Sequence, residues 1–142
     1  MLEYLLIGGA VILFNVLDSV TTELGFRLPE HLRAKESNPL AKPWLEKHPN
    51  GFHAFKQLTM IGMVIWLVAV EAIQALVVVA IMLGLVVINN SYILVGRKIT
   101  KRKINTPFYV ACKVCHIHNN LMFVVWVLFT LAVAVPIAYL LF

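Results

Sequence analysis

From Phe52 to Val95 the chain is almost unbroken apolar residue, with Glu71 the single charge after Lys56. About forty residues, rising roughly 1.5 Å each in a helix, are twice what one crossing of a hydrocarbon core of about 30 Å takes. The stretch must therefore be a helical hairpin, and Glu71 and Gln74 mark its turn, without help from Gly or Pro. Two further apolar stretches flank it, which gives four predicted spans: 2–24, 52–70, 73–95 and 120–142. The fold class that follows is an all-α membrane protein of four transmembrane helices, a single domain over residues 1–142.

Composition agrees. With 61% hydrophobic and 13% charged residues, the chain has more apolar surface than one soluble core of this size could hide, so lipid must solvate the remainder. Gly25 and Pro29 end the first span. Pro39, Pro43, Pro49 and Gly51 make 26–52 a loop, with room for a short interfacial helix between Leu40 and His48. Thr106-Pro107 reads as a helix start, Thr capping and Pro in the first turn, and a second interfacial piece can run to His118. Pro136 falls inside the last span as a local bend. The N-terminus resembles a secretory signal only superficially: Met1–Leu6 has no basic residue, and no small-x-small cleavage site follows.

The net charge of +5 does not indicate nucleic acid, because the cations are segregated. Arg27, Arg33, Lys35, Lys42 and Lys47 lie in the first loop, and Arg97, Lys98, Lys101, Arg102 and Lys103 in the second. Lys56 and Lys113 flank helix starts. Cationic loops stay on the cytoplasmic side, which predicts both termini outside. The same loops suit anionic lipid headgroups.

Charged and strongly polar groups inside a bilayer cost about 2.5–3.5 kcal/mol each on insertion scales, so each needs a reason. Asn15, Asp18 and Thr22 are spaced i, i+3, i+7 and share one helix face, widened by Ser19, Thr21 and Glu23. Lys56 and Thr59 lie near the loop end of the second span, Asn89 and Asn90 near that of the third, and His118, Asn119 and Asn120 at the start of the fourth. All four helices are thus expected to bring polar groups to one layer beneath the cytoplasmic surface. Two readings stand together: an internal ion pair and interhelical hydrogen bonds that hold the bundle, or a binding site. Glu36-Ser37-Asn38-Pro39 adds a loop carboxylate that could fold back toward Asp18, where two carboxylates with Asn and Thr oxygens would suit a hard cation.

The run Asn15-x-x-Asp18-x-x-x-Thr22, then Glu36-x-Asn38-Pro39, then Lys56 at the next helix start, resembles a prokaryotic family of small membrane proteins, domain of unknown function 5658. The similarity covers about residues 10–95. It implies a helical membrane fold, supplies no established reaction, and groups Asn15, Asp18, Thr22, Glu36, Asn38, Pro39 and Lys56 in one constellation. The Cys/His segment lies outside the pattern.

That segment, Cys112-Lys-Val-Cys115-His116-Ile-His118, has the Cys-x-x-Cys-His spacing of covalent c-type haem attachment, and Cys and His are also the usual ligands of zinc. Haem is attached on the outer face, however, and four ligands within seven residues would strain to surround one ion. A redox pair is a further option. Two small thiols and two histidines at headgroup level is the plainer reading, and no cofactor is predicted. No Gly-rich phosphate loop, Gly-x-Ser-x-Gly or His-Glu-x-x-His occurs.

Three functions remain open. One is a protein that binds or passes an ion or small polar solute through a pocket lined by Asn15, Asp18, Thr22, Lys56, Asn89 and Asn90, with a homo-oligomer giving a wider path. Another is a structural or assembly subunit. The last is an inner-leaflet enzyme acting on lipid, with Asp18 or Glu36 as acid/base or metal ligand and Lys56 as anion partner.

Overall fold

The computed structural model describes residues 1–33, 41–118 and 121–141. Six α-helices account for most of them: α1 (Leu2–Phe26), α2 (Lys42–Lys47), α3 (Pro49–Ala69), α4 (Ile73–Thr100), α5 (Pro107–Val114) and α6 (Met122–Leu141). Four of these, α1, α3, α4 and α6, are long and apolar enough to cross a membrane. Only 11–22% of the residues in their most apolar stretches are buried by the rest of the chain. A surface that greasy is stable only in lipid, so the protein is an integral membrane protein.

Helix ends follow local chemistry. Pro49 opens α3 in its first turn, where the missing N–H costs nothing. The hairpin between α3 and α4 closes on a Schellman cap: Glu71 N–H reaches Val68 O at 3.1 Å and Ala72 N–H reaches Leu67 O at 2.9 Å. Glu71 sits in the left-handed region, at φ 55°, a place usually given to Gly. α4 runs past Val95 to Thr100 and ends at left-handed Lys101. Arg97 and Lys98 therefore belong to the helix rather than to the loop, since nothing before Lys101 breaks it and basic side chains favour a helix C-terminus.

α1 is the central strut, packed between α3 and α4, while α6 lies on the far side of α4. Tyr4 donates to Glu71 O at 3.0 Å and Asn15 to Gln57 at 2.8 Å, so α1 and α3 are antiparallel. Phe14 faces Gly84 and Asp18 faces Asn90, so α1 and α4 run parallel. Toward the hairpin turn, Val11, Val64, Leu67, Leu76 and Ala80 form an apolar core with Tyr4, Ile7, Met60, Val79 and Leu83 around it. Among the described residues, the side chain–side chain polar contacts between helices lie toward the other end, where the basic loops are.

Those loops are anchored by a buried cation. Arg97 is 9% exposed, and its guanidinium donates to Leu32 O at 2.9 Å and to Ile104 O at 3.4 Å. One side chain thus ties both loops to the end of α4. α2 packs on α3 through Trp44, whose ring lies 4.9 Å from Phe55 and 5.8 Å from Phe52.

Candidate functional site

The site forms where α1 turns its polar face toward both neighbours. Asp18 is held from two directions: Lys56 Nζ of α3 forms an ion pair with Oδ2, and Asn90 Nδ2 of α4 donates to Oδ1 at 2.7 Å. The Asp18 and Lys56 side chains are 13% and 22% exposed. One step along α1, toward the apolar core, Asn15 is fully buried and Nδ2 donates to Gln57 Oε1 at 2.8 Å. Gln57 Nε2 in turn donates to Ser19 Oγ at 3.2 Å and to Asn15 O at 3.4 Å. Ser19 Oγ donates to Asn15 O at 3.1 Å.

The reason is periodicity. Asn15, Asp18 and Ser19 occupy one face of α1, and Lys56 and Gln57 meet it from an antiparallel neighbour, so the charged and amide pairs fall into register. Each charge in a low-dielectric surround is compensated, which is the condition for keeping it there. By helix rise, Asp18 lies eight residues, about 12 Å, from the loop end of α1. The site is inside the span and nearer the basic loops.

Of the residues singled out from sequence, Asn15, Asp18, Lys56 and Asn90 are brought together. Asn89 stands one residue off, its Nδ2 at 3.5 Å from Asn90 Oδ1, at the edge of the network rather than on Asp18. Thr22 is half-buried, a turn beyond Asp18, and makes no bond to the network. Glu36, Asn38 and Pro39 lie outside the described residues, as do Asn119 and Asn120.

Among the described residues the polar layer draws on three helices, and Asn119 and Asn120 at the start of the fourth span lie outside them. α6 packs on α4 and buries Thr130, Ala134 and Ala138, and Thr130 satisfies its own hydroxyl on Val127 O at 2.9 Å. Gln57 was the residue to miss. Its signal was its place next to Lys56, which puts it one step around the same helix and opposite Asn15.

The Cys/His segment turns out to be a helix stop. Thr106 caps α5 by accepting from Tyr109 N–H at 3.2 Å. At the other end, His116 N–H bonds Lys113 O at 3.0 Å and Ile117 N–H bonds Cys112 O at 2.9 Å, a second Schellman cap with His116 at φ 57°. Cys112 is buried, whereas Cys115, His116 and His118 are exposed. Among the described residues no three His, Cys, Asp or Glu gather as a metal would require.

Fold and site together define a small polytopic membrane protein with a charge-compensated polar centre inside its span. Residues 9–96, more than half of the chain, match the family described as Domain of unknown function (DUF5658), and the chain belongs to that family. The matched region contains α3 and most of α1 and α4, so every residue of the Asp18 network falls within it, while α5 and α6 do not. Comparison with curated proteins and with solved structures yields no match.

Proposed function

We propose that the protein binds, or passes across the membrane, an ion or small polar solute at the Asp18 centre. The observation that carries this is the meeting of Asp18, Lys56 and Asn90 from three helices, at a depth where each polar group is expensive. A bundle needing only cohesion could pack that layer with apolar side chains, often with no loss of stability. On this reading the basic loops face the cytoplasm of a prokaryotic cell, the site lies toward that side and both termini are outside. Exposed Lys101, Arg102 and Lys103 lie where anionic headgroups would sit, and a homo-oligomer would enlarge the path.

A second reading is favoured by one observation: both carboxylate oxygens of Asp18 are already bonded within the chain. The polar layer would then fix the bundle of an assembly subunit, and a larger complex would cover the lipid-facing helices.

Proteoliposomes offered labelled alkali cations, amines and small polyols separate the two. Solute-specific uptake above empty vesicles that Asp18→Asn abolishes supports the first reading. Uptake at the empty-vesicle level for every solute, with a stoichiometric partner retained on purification, supports the second.

A further inference from the structure

Beside Asp18 in this polar layer, one fully buried atom has no hydrogen-bond partner among the described residues. It is Oδ1 of Asn15, on a residue that is 0% exposed. The orientation of that amide is assigned from the bonds around it. Turning Asn15 and Gln57 over together would set Gln57 Oε1 against the Asn15 backbone oxygen that Gln57 Nε2 now bonds at 3.4 Å. The atom is therefore an acceptor without a hydrogen bond among the described residues, and a buried group in that condition costs its desolvation.

The bonded groups nearest along the same network are oxygen acceptors. Among the described residues Gln57 Oε1 accepts only from Asn15 Nδ2, and Ser19 Oγ accepts from Gln57 Nε2 while donating to Asn15 O, so each has a lone pair to spare. Asp18 lies three residues along the same helix face and carries the negative charge of the network. Its present counter-ion is the ammonium of Lys56, in effect a monovalent cation on a tether. A divalent ion fits poorly: one carboxylate already neutralised by Lys56 cannot offset two further charges in this environment, and among the described residues no three His, Cys, Asp or Glu gather.

Resting on the solute-binding reading above, we infer that the ligand is a monovalent cation, an alkali-metal ion or a primary ammonium group, bound between Asn15 Oδ1, Gln57 Oε1 and Asp18. Lys56 is its built-in competitor. When the cation takes Asp18, Lys56 withdraws toward the loop end. Lys56 lies seven residues, about 10 Å, from the start of α3 at Pro49, and a lysine stem can cover much of that distance by snorkelling. One positive charge replaces another on the carboxylate, and the buried centre keeps its balance.

The test uses the full-length protein in detergent, its unfolding temperature followed in sodium, potassium, ammonium or choline chloride at equal ionic strength. A ligand at tenfold over its Kd raises the unfolding temperature of a chain this size by roughly 3–6 °C. The expected result is such a rise in one or more of the three small cations over choline, the responding salt telling an alkali ion from ammonium. The rise is lost in Asn15→Leu, and half-saturation falls to lower concentration in Lys56→Gln, where the competitor is gone. Should Asn15→Leu not fold, Asn15→Asp takes its place and must strengthen the response. Equal unfolding temperatures in all four salts overturn the inference, as does a rise that ignores both positions. Uptake of an uncharged polyol that depends on Asp18, without any cation response, would leave the solute-binding reading standing and remove this one.

Discussion

Asn90 Nδ2 donates to Asp18 Oδ1 at 2.7 Å, and this bond between two parallel helices leaves the second carboxylate oxygen to Lys56 on the antiparallel one. α1 therefore cannot rotate or slide against either neighbour without uncovering a charge inside the span. The apolar core nearer the hairpin turn does not impose that constraint, because dispersion contacts tolerate small shifts far better than an ion pair does.

Close approach at Gly8 sets the spacing between α1 and α3. A Cβ there would stand 2.9 Å from Val64 Cγ1, whereas one at Gly9 would meet nothing within 4 Å. Gly8→Ala should lower stability by roughly 1–3 kcal/mol through overpacking, and Val64→Ala should restore part of it. Gly9→Ala should be close to neutral. Thermal unfolding in detergent checks all three, and equal effects at Gly8 and Gly9 would contradict the packing described.

Sequence reasoning reached these elements unevenly, and the physics of lipid explains the pattern. Asp18 and Lys56 stood out because a charge within an apolar run is costly wherever it points. Choosing between Asn89 and Asn90 was beyond the sequence, since adjacent residues differ by about 100° around a helix and only the packed azimuth of α4 decides. Gln57 was overlooked because a neutral amide two turns from a loop carries little penalty. Arg97 read as loop because five cations follow Gly96 closely, yet no strong helix breaker separates them from α4. The Cys-x-x-Cys-His spacing offered ligand readings beside the plainer one of thiols and histidines at headgroup level, and the segment forms the last turn and cap of α5, where the Cys112 carbonyl and His116 N–H satisfy a helix end.

Arg97 should act as the clasp for both loops. Arg97→Met removes the donors to Leu32 O and Ile104 O and leaves two inward carbonyls unpaired, at about 1–3 kcal/mol each. Limited proteolysis should then cut the loops faster than in the wild type. Arg102→Met, at an exposed position, should cleave at the wild-type rate.

The two cysteines should separate by reactivity. Cys115 is exposed and Cys112 buried, so a maleimide should modify Cys115 roughly tenfold faster or more in the folded protein. With a membrane-impermeant reagent on intact cells, Cys115 should stay unmodified until the membrane is opened. Modification of intact cells would reverse the proposed orientation.

The most direct measurement is a double-mutant cycle on the ion pair, with Asp18→Asn, Lys56→Gln and the pair combined, read as unfolding free energy in detergent. Each single change strands a partly buried charge, and the combined change strands none. The account predicts that the double variant is more stable than the two single losses added together imply, by about 1–3 kcal/mol of coupling. Strictly additive losses would mean that Asp18 and Lys56 do not compensate one another, and the polar centre as described would not exist.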